Sequence, residues 1–144
     1  MFSKSCEYAI RAVICISQKS RNGERVGVKE LAGLIDAPEH FIAKILQILS
    51  RKGIVLSMKG PNGGFFVDKR KSKISLSSIV LAIDGDKLYD ECVLGLKTCS
   101  SDTPCPVHRE YQEIKFKLID MLEHNTIENF NDLIERGECF LKND

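Results

Sequence analysis

The sequence predicts a mostly helical fold that carries one small β-hairpin and ends in a long helix. Three observations predict it. Apolar residues recur at helical spacing over most of the chain, a glycine-rich turn separates two short β-branched runs near residue 60, and a polar cysteine-bearing stretch precedes a last helical region. With 144 residues, of which 43% are hydrophobic and 28% charged, the chain can bury the core of one domain with a helical extension.

Three helices are predicted in the first third of the chain. The first begins at Ser3, a residue type that caps helices, and extends to Gln18 along an apolar stripe. A short second helix covers Val28 to Ile35 after an Asn-Gly turn. Pro38 suits the first position of a third helix, which Gly53 ends.

The second and third helices, joined by a tight connection, are typical of a helix-turn-helix, whose second helix enters the major groove of DNA. A β-strand from Ile54 to Lys59, a glycine-rich turn and a return strand from Phe65 to Val67 then form a wing. The candidate DNA-contacting residues of the third helix are Glu39, His40, Ala43, Lys44 and Gln47.

Charge is divided unevenly along the chain, although the net charge is only +1. Residues 1–73 carry 14 Lys and Arg against 6 Asp and Glu, which gives +8, whereas residues 74–144 carry 7 against 14, which gives −7. Five basic residues lie on or just after the hairpin: Lys59, Lys69, Arg70, Lys71 and Lys73. This distribution indicates a half that binds a polyanion, the alternative being chance clustering on solvated surfaces.

The second half of the chain is predicted to hold a fourth helix from Ile74 to Ile83, a polar loop over 84–106 and a long helix from Val107 to about His124. Asn125 and Glu128 resemble a capping box that opens a last helix, Thr126 to Arg136. We therefore expect a DNA-binding unit over 1–83, a cysteine loop over 84–106 and a dimerisation segment over 107–144.

The long helix carries apolar residues at an average spacing of 3.5, namely Val107, Tyr111, Ile114, Leu118 and Met121. Such a seam favours packing against the same helix of a second subunit, and packing on the chain's own winged domain is the alternative.

Three cysteines and one histidine lie close together in sequence and form a candidate metal site: Cys92, Cys99, Cys105 and His108. Thiolates with an imidazole suit iron–sulfur clusters, zinc or copper(I) rather than calcium or magnesium. Neither cysteine interval is the short pair typical of structural zinc, so the spacing favours a larger [2Fe–2S] or [4Fe–4S] cluster. The alternative for His108 is a solvated residue in the first turn of the long helix.

The remaining cysteines, Cys6, Cys15 and Cys139, lie in helical settings and are interpreted as structural. No apolar run approaches the roughly 20 residues of a membrane span, and the first residues do not resemble an export signal. We therefore expect a cytoplasmic protein that is not embedded in a membrane. Catalytic patterns such as Cys-x-x-Cys, Gly-x-Ser-x-Gly and the P-loop do not occur, so a redox enzyme ranks last among the candidate functions.

Taken together, these segments resemble the IscR and NsrR family of bacterial winged-helix repressors. The resemblance rests on Tyr8 to Ala12, Phe41 to Gly53, the wing Lys59 to Phe65, Ser78 to Asp84 and the three-cysteine loop. It implies a homodimer paired through the long helix, recognition helices in major grooves of a double-stranded operator, and wing tips in minor grooves. Carried over by position, the wing contact would be formed by Lys59, Gly60, Pro61, Asn62, Gly63 and Gly64. It also implies a cluster on Cys92, Cys99 and Cys105, with [2Fe–2S] preferred to [4Fe–4S].

The resemblance leaves two candidates for the fourth cluster ligand. Cys105-Pro106-Val107-His108 matches the Cys-x-x-His ending of the IscR-like branch, whereas other branches use an acidic residue of the first helix, a position that Glu7 occupies. We favour His108 because it is near Cys105 in sequence, with Glu7 second and Cys6 third. Some relatives have arginine where this chain has Lys59, which supplies charge but no planar guanidinium. A zinc or thiol-switch regulator remains the alternative to a cluster sensor.

Overall fold

The computed structural model describes residues 1–70 and 73–142. Lys71, part of the basic run, lies outside the described residues, as do positions 143 and 144 at the end of the expected dimerisation segment. Seven helices and one hairpin are found in the described part: α1 Lys4–Arg21, α2 Val28–Leu34, α3 Glu39–Arg51, β1 Leu56–Met58, β2 Gly64–Phe66, α4 Leu76–Asp84, α5 Lys87–Asp90, α6 His108–His124 and α7 Ile127–Glu135. The predicted mostly helical fold with a two-stranded hairpin is confirmed.

Helix α1 forms the centre of the fold, and α2, α3, α4, α7 and β2 all pack against it. Its inward positions are small or β-branched, so the surrounding helices approach closely, and Ala9, Ala12, Val13 and Ile16 are fully buried. As predicted, Ser3 caps the helix by accepting a hydrogen bond from the Cys6 backbone N–H at 3.0 Å.

Two helix starts differ from the sequence prediction. Pro38 precedes the first helical residue of α3 and has extended backbone angles, while its carbonyl accepts bonds from the N–H groups of Phe41 and Ile42. Helix α7 is capped by Thr126, whose side chain accepts from the Asn129 N–H at 3.3 Å, so the predicted Asn125 and Glu128 capping box is wrong. The Asn125 amide instead donates to the Met121 carbonyl of α6.

The wing is an antiparallel hairpin in which Leu56 pairs with Phe66 and Met58 with Gly64. The first strand is shorter than predicted, because Ile54 still belongs to the turn after α3 and its N–H donates to the Leu49 carbonyl. The return strand has the predicted length but begins one residue earlier, at Gly64. Val26, which precedes α2, adds an antiparallel bridge to Phe65 with N···O distances of 3.1 and 2.8 Å. The segment before α2 thus borders the hairpin.

The predicted loop over 84–106 contains the one-turn helix α5, which the sequence did not indicate. After this loop, α6 packs against α4. The apolar residues of the α6 seam lie in two different environments. Leu118 packs on the core of its own chain, whereas Ile114 and Met121 are 59% and 42% exposed.

Among the helices that the structure describes, none has the length and apolar character of a membrane span.

Candidate metal centre and nucleic-acid interface

The three cysteines of the loop, which the sequence predicts as metal ligands, converge on one point. The Sγ atoms of Cys92, Cys99 and Cys105 lie within 4.8 Å of one another, and those of Cys92 and Cys105 are 3.8 Å apart. All three are free thiols; Cys105 is buried and the other two are half-buried. Three converging sulfur donors without a disulfide fit a thiophilic metal or an iron–sulfur cluster.

Local hydrogen bonds shape the loop around these sulfurs. The Cys105 N–H points at the Cys99 sulfur at 3.4 Å, and the Gly95 N–H donates to the Cys92 carbonyl at 2.8 Å. Ser100 and Thr103 close a small turn, because the Thr103 N–H donates to the Ser100 hydroxyl at 3.2 Å. The loop therefore holds its sulfurs together through its own backbone.

Backbone N–H groups also change the pKa values of the thiols. Hydrogen bonds from the backbone of Leu96, then Leu94, lower the pKa of Cys92 to about 7. At Cys99 the Cys105 N–H acts in the same direction, but desolvation and the two neighbouring thiols outweigh it, so the pKa of Cys99 is raised. Cys92 is the sulfur most readily present as the thiolate that a metal binds.

Lys115 of α6 anchors the start of the loop, a role that the sequence analysis missed. Its side chain is 6% exposed, and Nζ donates to the carbonyls of Tyr89 and Glu91 at 3.0 and 3.2 Å. Buried lysines are rare unless their charge and donors find partners. Here the two carbonyls, one and three residues before Cys92, accept two of the three N–H donors, and Nζ lies 5.5 Å from the centroid of the Tyr111 ring. The only sequence signal was a lysine on the otherwise apolar inward face of α6.

The candidates for the fourth ligand have different surroundings. His108 Nδ1 lies 3.1 Å from the Cys99 sulfur, although among the described residues the mutually close ligand atoms are the three sulfurs alone. Glu7 is exposed and pairs with Lys4 at 3.3 Å. Cys6 is fully buried, and burial, followed by the charge and hydrogen bond of Asp84, raises its pKa to about 12. Its burial supports the interpretation of Cys6 as structural.

The predicted contact face of α3 is open to solvent. Glu39, His40, Lys44 and Gln47 are exposed and Ala43 is half-buried, while Ile42, Ile45, Leu46 and Leu49 on the other face lie in the core. One helix face is thus free to approach a partner, and the opposite face fixes its orientation on α1.

The wing turn presents Lys59, Gly60, Pro61 and Asn62 to solvent, and its last two glycines are needed for the turn itself. A Cβ atom on Gly63 would lie 2.3 Å from the Met58 carbonyl oxygen. Gly64 has φ of +141°, and a Cβ there would lie 2.9 Å from the Val26 backbone. Gly63 and Gly64 therefore have a structural role whether or not they contact DNA.

Comparisons with known proteins agree with this architecture. A family described as Rrf2, an iron-dependent transcriptional regulator, matches residues 2–133. A protein of Aquifex aeolicus (strain VF5), named as an HTH-type transcriptional regulator, is 33% identical over 139 residues, which is 94% of each chain. The HTH-type transcriptional regulator NsrR of Oceanobacillus iheyensis is 26% identical over 139 residues, 96% of this chain and 92% of the relative.

A solved structure, that of T. potens IscR, is similar in fold. It superposes with a TM-score of 0.74 over 97% of this chain and 92% of the other, with 18% sequence identity. Similarity at this identity supports the winged-helix fold with its long helix.

Proposed function

The chain belongs to the Rrf2 family of transcriptional regulators, and from this premise we propose that it is a DNA-binding repressor controlled by an iron–sulfur cluster. One observation carries the proposal. Three thiols converge in a chain whose helix α3 also exposes a polar face. In this assignment residues 1–83 bind the operator, 84–106 hold the cluster and 107–144 form the dimer. The signal would be redox state, nitric oxide or iron–sulfur status.

Cys92, Cys99 and Cys105 would hold the cluster, with His108 as fourth ligand and [2Fe–2S] preferred to [4Fe–4S]. A bound cluster supplies a centre that can change oxidation state or be lost, and either event changes the charge and shape of its loop. The chain's own part is to keep three thiols together: Lys115 fixes the loop start, and backbone N–H groups favour the Cys92 thiolate.

DNA binding is supported by charge and exposure. The first 73 residues carry a formal charge of +8, and the polar face of α3, the helix that would read base edges in a helix-turn-helix, is exposed. His40, Lys44 and Gln47 would contact bases, whereas Lys59 on the wing would bind phosphate or the minor groove. A homodimer would place two such surfaces on a roughly palindromic site.

Metal analysis tests the cluster. Protein purified without oxygen should be brown and contain iron and sulfide, and serine at Cys92, Cys99 or Cys105 should remove the colour. Cys139→Ser, a half-buried thiol outside the loop, is the matched control. Colourless protein with one zinc ion would contradict the cluster and favour a zinc regulator, because sulfurs on one tetrahedral zinc are also about 3.8 Å apart.

Binding measurements test the DNA assignment. Duplexes selected from a random pool should share a roughly palindromic site, and affinity for it should fall steeply as salt rises, because bound phosphates release counterions. Lys59→Ala should weaken binding to all duplexes alike, whereas His40→Ala or Gln47→Ala should change the preference among sites. Binding that ignores salt, or that survives loss of both Lys44 and Lys59, would contradict the proposal.

A further inference from the structure

Arg25 lies in the segment before α2, outside both the helix-turn-helix and the hairpin, yet its side chain reaches the wing turn. Its Nη1 donates to the Asn62 carbonyl at 3.2 Å, and its guanidinium lies over the Phe66 ring, 5.3 Å from the centroid. The bridge between Val26 and Phe65 holds the neighbouring backbone against β2. Three contacts therefore hold Arg25 at the wing: the backbone bridge beside it, the Phe66 ring and the Asn62 carbonyl of the turn.

The charge of Arg25 is available to a partner. Arg25 is exposed, and in the described part of the chain no carboxylate forms an ion pair with it. Two basic residues close to Arg25 in sequence do form ion pairs. Arg21 pairs with Asp132 and Glu135, and Lys19 pairs with Glu24 and Glu30. Of the five guanidinium N–H donors, the structure engages one with Asn62, so the others can bind a ligand.

We propose that Arg25 is a DNA-contacting residue of the wing, whose guanidinium enters the minor groove beside the turn of residues 60–63. This inference rests on the proposed DNA-binding function. The hydrogen bond to Asn62 and the stacking on Phe66 hold the guanidinium at the turn before DNA arrives, which lowers the entropy lost on binding.

The chemistry of a guanidinium explains why Arg25 adds something that Lys59 does not. A lysine ammonium is compact and strongly hydrated, whereas a guanidinium is planar, more weakly hydrated and able to donate several hydrogen bonds in one plane. Narrow minor grooves of A·T-rich DNA have an enhanced negative potential that attracts inserted arginines. Arg25 would thus give the wing a preference for A·T pairs at the flanks of the site.

The test uses the full chain and two fluorescent duplexes that share the selected site but carry either A·T-rich or G·C-rich flanks. Wild-type protein should bind the A·T-flanked duplex more tightly. Arg25→Ala should weaken that binding about five- to thirtyfold and remove most of the flank preference. Arg25→Lys should recover part of the affinity but not the preference. Arg136→Ala removes the same charge from the acidic half and should change neither.

Three results would overturn the inference. Unchanged binding by Arg25→Ala would show that the guanidinium does not contact DNA. An equal loss on both duplexes would show that Arg25 only supports the wing turn. Full recovery of the flank preference by Arg25→Lys would show that charge alone suffices. Failure of the wild-type protein to bind any duplex would instead reject DNA binding itself, and the Arg25 inference with it.

Discussion

The Asp84 carboxylate accepts hydrogen bonds from both the backbone N–H and the hydroxyl of Ser3, a residue 81 positions earlier in the chain. The bond from the Ser3 nitrogen to Oδ2 is 3.0 Å long. Ser3 caps α1, and Asp84 is the last residue of α4, where the cysteine loop begins. One carboxylate therefore ties the start of the first helix to the base of the candidate cluster loop.

Replacing Asp84 with Ala should lower the free energy of unfolding by about 1 kcal/mol, since two hydrogen bonds at a partly exposed helix start are lost. It should also lower the pKa of Cys6, which the charge and hydrogen bond of Asp84 help to raise. Urea unfolding of metal-free protein at one fixed concentration measures the first effect. Asp86→Ala, at an exposed position two residues on, is the control and should leave stability unchanged.

Cys92 should be the thiol that alkylates most readily near neutral pH in metal-free protein. Backbone N–H groups stabilise its thiolate and lower its pKa to about 7, so the iodoacetamide rate should rise as pH increases through 7 and then level off. Cys6, fully buried with a pKa of about 12, should react only after unfolding. Mass spectrometry of each cysteine peptide measures the profile, and a midpoint for Cys92 above 8.5 would contradict it.

His108→Ala should bleach the cluster or shift its absorbance bands, because an imidazole held 3.1 Å from the Cys99 sulfur is already beside the ligand set. Glu7→Ala should leave the spectrum nearly unchanged, since Glu7 is exposed and paired with Lys4. Absorbance and iron content of anaerobically purified variants measure both effects. A spectrum changed by Glu7→Ala but untouched by His108→Ala would make His108 a surface residue and Glu7 the ligand.

Ile114→Asp should convert a dimer into a monomer. Ile114 is 59% exposed and shares the open edge of the α6 seam with Met121, so a carboxylate there would be buried without a partner in a helix-paired dimer. Light scattering on a sizing column should show the mass fall from twice 16.2 kDa to one chain. Phe116→Asp, two residues along the helix and therefore on another face, should remain dimeric.

Gly63→Ala should distort the wing and weaken operator binding roughly tenfold while the helices stay folded. The added Cβ would lie 2.3 Å from the Met58 carbonyl oxygen, so the turn must move. Gly33→Ala in α2 is the matched control: nothing lies within 4 Å of its Cβ, and stability should rise by about 0.5 kcal/mol because the unfolded chain loses freedom. Gel shifts and circular dichroism measure the two effects, and normal binding by Gly63→Ala would show that the wing tolerates the movement.

Features that depend on neighbouring residues were predictable from the amino-acid sequence. Helical period and the cap at Ser3 predicted α1, and the glycine-rich turn predicted the hairpin. The clustered cysteines predicted a metal site, and three of its four candidate ligands converge. Errors arose where two local signals competed. Asn125 and Thr126 are both good capping residues, and packing of the α6 and α7 junction against the strand-like Ile74 to Leu76 segment selected Thr126.

Contacts between residues distant in sequence were not predictable and follow from how the helices pack. The bond between Ser3 and Asp84, the burial of Lys115 under two loop carbonyls and the reach of Arg25 to Asn62 follow no spacing rule. Each of these contacts joins segments that the packing of helices around α1 brings together. The partner of such a polar side chain is therefore known only once that packing is known. Local propensity acts within a few residues, whereas polar side chains, buried or exposed, bond to whatever groups the packed helices bring near them.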